Sequence, residues 1–259
     1  MTSAYNLADL VHLSRTLGEP WRRFAILAEG NTSELVAEDQ LVVKATGRSL
    51  QHASPSDFVV VSLRRLTQIV DDSEAGDVDV ARYFDEVESE QGLRPSVEAL
   101  LHVVCVVDAG ATTVAHTHPE SVNALLCSDR ADVLAGPPIF PDQVVVIGRR
   151  ALLVPYSDPG VVLAREVRAR LAEHARQSGM PRVIYVRNHG MVALGSSAGQ
   201  TLQLTEMADK VSRVLASTLS LGSVVPMTDE SAERIDTRDD EQIRRTALAR
   251  ATLPQPSSD

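Results

Sequence analysis

Residues 111–126, Ala-Thr-Thr-Val-Ala-His-Thr-His-Pro-Glu-Ser-Val-Asn-Ala-Leu-Leu, decide the fold. After Gly110 the run Thr112 to Thr117 predicts a strand, and it ends at Pro119, a residue suited to the first turn of a helix over Glu120 to Ser128. Successive side chains of a strand alternate faces, so His116 and His118 share one and can aim both imidazoles at one point. A strand that delivers paired polar rings to its end and turns straight into a helix is compatible with an α/β arrangement.

Outward from that stretch the pattern continues. On its N-terminal side, Ser96 is a candidate N-cap for a helix over Val97 to Val107, with Leu100, Val103, Val104 and Val107 on one face. Further upstream, short apolar or alternating runs at Phe24 to Leu27, Ser33 to Ala37, Leu41 to Lys44 and Phe58 to Ser62 predict antiparallel strands behind a first helix over Asn6 to Leu17. Arg64 to Val70 suits one or two helical turns, and Asp71 to Asp79 an acidic loop. Downstream, Gln143 to Ile147 and Ala151 to Val154 flank Gly148, Arg149 and Arg150 as a hairpin. Asp158 as cap, Pro159 in the first turn and Gly179 as stop bracket a helix carrying Leu163, Val167 and Leu171. Strands at Val183 to Val186 and Met191 to Leu194 enclose Asn188-His189-Gly190, and Ser197 opens a last long helix to about Leu219. Thr228 to Asp259 alternates acids with arginines, so residues 226–259 are expected to be a solvated tail, helix then disorder, behind one domain over 1–225.

The 259 residues are 44% hydrophobic, 23% charged and only 3% aromatic, which excludes a disordered or fibrous chain. A formal charge of -10, from 25 Lys plus Arg against 35 Asp plus Glu, leaves no chain-wide cationic field for nucleic acid or anionic lipid. No apolar run approaches membrane-spanning length and no leader pattern opens the chain, so the expected location is the cytoplasm, with neither membrane nor nucleic acid as partner. Cys105 and Cys127 lie in apolar stretches without CxxC spacing and are expected to be reduced and buried.

Three of the seven histidines stand out: His116, His118 and His189. If the turn after Val186 brings His189 beside the other two, three neutral nitrogens with an open position make a catalytic metal arrangement. The same rings would serve equally as ordinary core or surface histidines. Glu98, near a helix start, either complements the helix dipole or faces the metal. His102, one helical turn later, either orients it or simply packs. The turns Gly30-Asn31-Thr32-Ser33 and Thr46-Gly47-Arg48-Ser49, with Ser96, either form ordinary turns and a cap or present amides and hydroxyls to an anion.

Taken in order, Gly30-Asn31-Thr32-Ser33, Lys44-Ala45-Thr46-Gly47, Pro95-Ser96-Val97-Glu98, Ala115-His116-Thr117-His118-Pro119 and Asn188-His189-Gly190 resemble the motifs of the class II aldolase/adducin family, over about Leu7 to Leu219. Arg94 to His102, His116 to Cys127 and Phe140 to Val145 are most similar to the aldolase part of fused rhamnulose-phosphate aldolase/dehydrogenase proteins. No GxGxxG follows, so the dehydrogenase part is expected to be absent. The resemblance implies a three-layer α/β/α fold around a central, mostly antiparallel sheet, and a homo-oligomer, often a tetramer with sites at subunit interfaces. It also implies His116, His118 and His189 as ligands of Zn²⁺ or another divalent metal, Glu98 as catalytic acid/base, and Asn31, Thr46, Gly47 and Ser96 as the phosphate-binding residues. Two departures stand out. Val97 replaces the second serine of fuculose-phosphate aldolases, and Phe140 occupies the neighbourhood of their partner-subunit tyrosine; Lys44 and Arg48 are candidate sources of compensating charge.

The activity implied is a metal-dependent aldolase that reversibly cleaves a small ketose 1-phosphate through a metal-stabilised enediolate. The same site would serve a 4-epimerase, a dehydratase or a decarboxylase, whereas an adducin-like interaction module would have no use for the histidines.

Overall fold

The computed structural model describes the backbone of residues 5–250 and the side chains of residues 5–248. Seven strands form one sheet in the order β3-β2-β1-β4-β7-β6-β5: β1 (Asn31–Ala37), β2 (Gln40–Lys44), β3 (Phe58–Ser62), β4 (Thr113–Thr117), β5 (Leu152–Val154), β6 (Val183–Val186) and β7 (Gly190–Gly195). Among the described residues only β5 and β6 pair in parallel. Val114, Ile184 and Val192 turn one way, into a core shared with α2 (Leu63–Asp71), α3 (Asp77–Gln91), α4 (Ala99–Val107) and α7 (Val161–Ser178). Ala115, Val183, Tyr185 and Ala193 turn the other way, toward α5 (Glu120–Leu126) and α8 (Ala198–Leu221). On the same side α1 (Ala8–Leu17) packs Leu7, Leu10 and Val11 against Val42 and Phe58. Strand alternation, with apolar residues on both faces, thus produces the three layers of an α/β/α fold around a mostly antiparallel sheet.

Local signals account for much of this. Ser197 accepts from the Gln200 N–H and caps α8, and Gly179, at φ +81°, ends α7. Several expectations are corrected. The Gln143–Ile147 segment is not half of a hairpin: α6 (Pro141–Val146) replaces it, because Pro141 starts a helix and the Gln143 side chain accepts the Ile139 N–H ahead of it. Ala151–Val154 supplies β5, which pairs with β6 instead. Phe24–Leu27 is a turn and not a strand; Leu27 is left-handed at φ 53°. Asp158 does not cap α7, whose N-cap is Gly160. The unanticipated α3 opens on acidic Asp77 and Asp79 and buries Val80, Tyr83, Phe84 and Val87. Cys105 is buried as expected, but Cys127 is exposed at the end of α5.

The tail carries two helices where one was expected, α9 (Asp229–Thr237) and α10 (Asp239–Arg250). Ala232 is buried, Arg244 reaches Asp142 at 2.8 Å, and the Arg245 Nε donates to the Val145 carbonyl at 3.1 Å. The expected disordered end, residues 251–259, lies outside the described residues. Among the described residues no helix is long and apolar enough to cross a membrane.

Candidate metal centre

Three elements meet at one end of the sheet. His116 sits near the end of β4, opposite Asn31 of β1 and Val192 of β7. His118 lies one residue past β4, its N–H donating to the Phe24 carbonyl at 2.8 Å. His189 occupies the β6–β7 turn, which a left-handed Asn188 at φ 53° makes possible, and Asn123 of α5 donates to its carbonyl at 3.0 Å. Gly190 follows because nothing larger fits: a Cβ there would lie 2.5 Å from the His118 ring and 2.6 Å from the Thr117 carbonyl.

The three rings meet edge to face, with centroids 4.7, 4.8 and 5.3 Å apart, and one ligand atom from each lies within 4.8 Å of the others. Their tautomers follow from their outer partners. The His116 Nδ1–H donates to the Met191 carbonyl at 3.0 Å, and the His118 Nδ1–H to Glu29 Oε2 at 3.2 Å. In the neutral rings each Nε2 is therefore left with its lone pair, and the two stand 2.9 Å apart. Glu98 Oε1 lies 3.2 Å from His116 Nε2 and 2.9 Å from His189 Nε2. Facing lone pairs beside a carboxylate repel one another unless a cation or a proton lies between them, so this donor set fits a metal. Imidazole nitrogens on an otherwise open site suit divalent transition metals. The His189 Nδ1 is buried with no hydrogen-bond partner among the described residues.

Glu98 is the residue before α4 rather than one inside it, because Arg94 to Ser96 are pinned as an extended stretch. Thr46 N–H donates to the Arg94 carbonyl at 3.0 Å and Ser96 N–H to the Lys44 carbonyl at 3.3 Å. Glu98 is 9% exposed. Burial alone would raise its carboxyl, but His116 and His189 outweigh that and hold it well below the usual carboxylate range. Conversely His116, which burial would lower, is raised by Glu98. His118 is pushed down to about 4, by burial first and then by His116.

The other Glu98 oxygen belongs to a directed chain. Asn31 Nδ2 donates to Glu98 Oε2 at 2.6 Å and to Ser96 Oγ at 3.2 Å. With the amide so oriented, Asn31 Oδ1 faces His102 and accepts from its Nε2–H, and the His102 Nδ1 accepts from Ser33 Oγ at 2.6 Å. His102 is fully buried and neutral, pushed down to about 3 by burial. It therefore reaches Glu98 through Asn31 rather than directly.

Of the residues expected at a phosphate pocket, Asn31 and Ser96 touch each other. Thr46 and Gly47 lie on an exposed turn held beside Arg94, and among the described residues they make no hydrogen bond to Asn31 or Ser96. Gly47 is left-handed at φ +72° with open space around it, so its glycine is required by conformation alone. Lys44 is buried, its Nζ donating to the carbonyls of Ala28, Ala45 and Arg48 and so joining the two turns. Arg48 pairs with Asp57 at 3.4 Å.

Glu29, Asn123 and the Met191 carbonyl were not anticipated from sequence, and Ser33, read as part of a possible anion-binding turn, instead bonds His102. Only Glu29, an acid directly before Gly30-Asn31, left a visible signal there.

A family model described as Class II Aldolase and Adducin N-terminal domain matches residues 8–216. Over 207 residues the chain is 25% identical to the uncharacterized oxidoreductase YuxG of Bacillus subtilis strain 168, a match covering 76% of this chain and 27% of that protein. The chain thus spans about a quarter of the length of this curated relative. Similar solved structures include YgbL of Klebsiella pneumoniae, whose description leaves aldolase, epimerase and decarboxylase open. It is 22% identical, with a TM-score of 0.65 over 88% of this chain and 96% of that one. L-fuculose-1-phosphate aldolase of Thermus thermophilus is 16% identical, with a TM-score of 0.59 over 85% and 97%. At these identities the structural likeness is one of fold.

Proposed function

Because the chain belongs to the Class II Aldolase and Adducin N-terminal domain family, we propose that it is a divalent-metal-dependent lyase that reversibly cleaves a small ketose 1-phosphate at a carbon–carbon bond. The observation that carries this reading is the convergence of His116, His118 and His189 on one point beside Glu98. In it the three Nε2 atoms hold the metal, a divalent transition metal such as zinc by the chemistry of the donor set. When bound, the cation supplies Lewis acidity for the carbonyl end of the sugar and a sink for the charge released as the bond breaks.

Glu98 moves the proton. Its Oε2 is fixed by Asn31, so Oε1 is the atom that in cleavage takes up the proton released from the hydroxyl beside the breaking carbon–carbon bond and delivers it to the carbon losing its partner, and in synthesis moves it the opposite way. The depressed carboxyl makes Glu98 a resident carboxylate in the free enzyme, ready as base for the synthetic direction. Ser96, Asn31 and the Thr46–Gly47 turn take the phosphate. Since Asn31 bonds both Ser96 and Glu98, phosphate capture and orientation of the acid/base share one amide group. The active form is a homo-oligomer, a tetramer by family resemblance, in the cytoplasm.

The test is a screen of the metal-loaded protein against ketose 1-phosphates and their unphosphorylated counterparts, with products identified by mass. Two carbon fragments establish the lyase. An isomer, loss of water or release of CO₂ reassigns the same site to an epimerase, dehydratase or decarboxylase. No turnover together with no bound metal favours an adducin-like module.

A further inference from the structure

β6 runs from Arg182 to the His189 turn, so its four residues, about 13 Å of strand, separate the metal centre from the opposite end of the sheet. There a cavity of about 560 Å³ opens between the α6–β5 loop, the end of α7 and the tail helix α9. Arg149, Arg150 and Arg182 line it, with Asp229 and Asp236 of α9.

The charges around it do not balance. Asp229 is held by Arg150 Nη2 at 3.2 Å, and Asp236 is taken by Arg245 at 2.7 Å. The Arg150 Nη1 is buried with no acceptor among the described residues. Arg182 has no carboxylate partner among the described residues; its Nη1 donates to the Val145 and Val146 carbonyls at 3.2 and 3.0 Å. Arg149 has no partner among the described residues. Of the three lining arginines, Arg150 is paired with Asp229, and Asp236 is taken by Arg245 from outside the lining, so Arg149 and Arg182 leave a local surplus of two positive charges in a chain whose formal charge is -10. Gathering like charges in a half-closed space is costly unless an anion joins them, and planar guanidinium groups suit oxyanions that accept several hydrogen bonds.

We propose that this cavity is a second binding site, separate from the metal centre, for a phosphate-type dianion, either inorganic phosphate or the phosphate group of a small ester. The surplus of two charges matches the charge of such a group, and the cavity has room for a small metabolite around it. Because α9 forms one wall, the ligand bridges the sheet edge and the tail, and holds the tail helices against the body. This assignment does not depend on the lyase reading.

The test uses the full-length, metal-loaded protein with amide hydrogen exchange in inorganic phosphate and, separately, in glycerol 1-phosphate, each followed by titration. Added protection at residues 147–150, 177–182 and 229–236 is the expected result. Arg149→Gln, at a half-buried position without partners, should keep the fold and the metal-site turnover but weaken that protection about tenfold or more, and Arg149→Lys should restore part of it. Protection by both ligands, or by the ester alone, supports the site and identifies its source. Protection by neither, or protection unchanged in Arg149→Gln, overturns it, whatever happens at the metal centre.

Discussion

Gly190→Ala adds one methyl group against the rings of His116 and His118, two of the three histidines proposed to hold the metal. Its Cβ would stand 2.5 Å from His118 Cδ2, 2.6 Å from the Thr117 carbonyl oxygen and 3.2 Å from His116 Cε1. Ordinary contacts between such atoms lie at about 3.5–4.0 Å, so roughly 1 Å of overlap must be relieved. The carbonyl belongs to β4, which is paired with β7 along five registered residues from Thr113–Gly195 to Thr117–Met191, so the His118 ring is the part that can move. Ligand distances in metal sites tolerate about 0.2 Å, and a displacement of about 1 Å removes His118 from the set. Losing one outer partner of a ligand already costs about 10–100-fold in affinity, and losing the ligand itself should cost about 10²-fold or more. Overpacking should lower stability by only ~1–3 kcal/mol, within the ~5–15 kcal/mol typical of a folded protein. The assay is a zinc titration against a competing chelator, run beside urea unfolding. Affinity within about threefold of wild type in a folded variant would refute the argument that this glycine makes room for the ligands.

Glu98→Gln should retain the metal and lose turnover by about 10²-fold or more, measured as metal content and rate on one preparation. His102→Leu strands the Ser33 hydroxyl and the Asn31 carbonyl oxygen in the interior; at ~1–3 kcal/mol for each unsatisfied group, urea unfolding should show a loss of ~2–6 kcal/mol. Burial brings the Lys44 ammonium down to about 8, while an unfolded lysine keeps its proton to about 10.4. Between those values the unfolded state binds more protons, so this group makes stability rise with pH across the window, by up to ~3 kcal/mol. Buried Cys105 and Tyr185 are pushed up and act in the opposite sense, so the readout is the difference between wild type and Lys44→Met at about pH 8 and about pH 10.5. An identical slope in both would remove Lys44 as its source.

Elements whose signals are local could be read directly from the chain. The β4 strand, the Ser197 cap and the Gly179 stop depend on residues within a turn or two of one another. Gln143-Val144-Val145-Val146-Ile147 misled because β-branched residues favour strands in isolation, whereas Pro141 and the Gln143 side chain set a short helix there. β5 depends on a parallel neighbour some thirty positions away, which no local pattern encodes. At the site, alternation along β4 was enough to pair His116 with His118, but His189 needed the likeness of the Asn188-His189-Gly190 turn to a known motif. Spacing placed His102 one turn from Glu98, but its route through Asn31, its bond to Ser33 and the Asn123 contact with His189 exist only once β1, α4 and α5 are packed. For the same reason Arg149 and Arg150 looked like a hairpin turn until α9 closed over them.

The most direct measurement is zinc X-ray absorption on the purified full-length protein and on His116→Ala. One zinc per chain with three imidazole nitrogens at about 2.0–2.1 Å, falling to two nitrogens or to an empty site in the variant, is the expected result. A shell dominated by sulfur, or one unaltered by His116→Ala, would contradict the three-histidine centre.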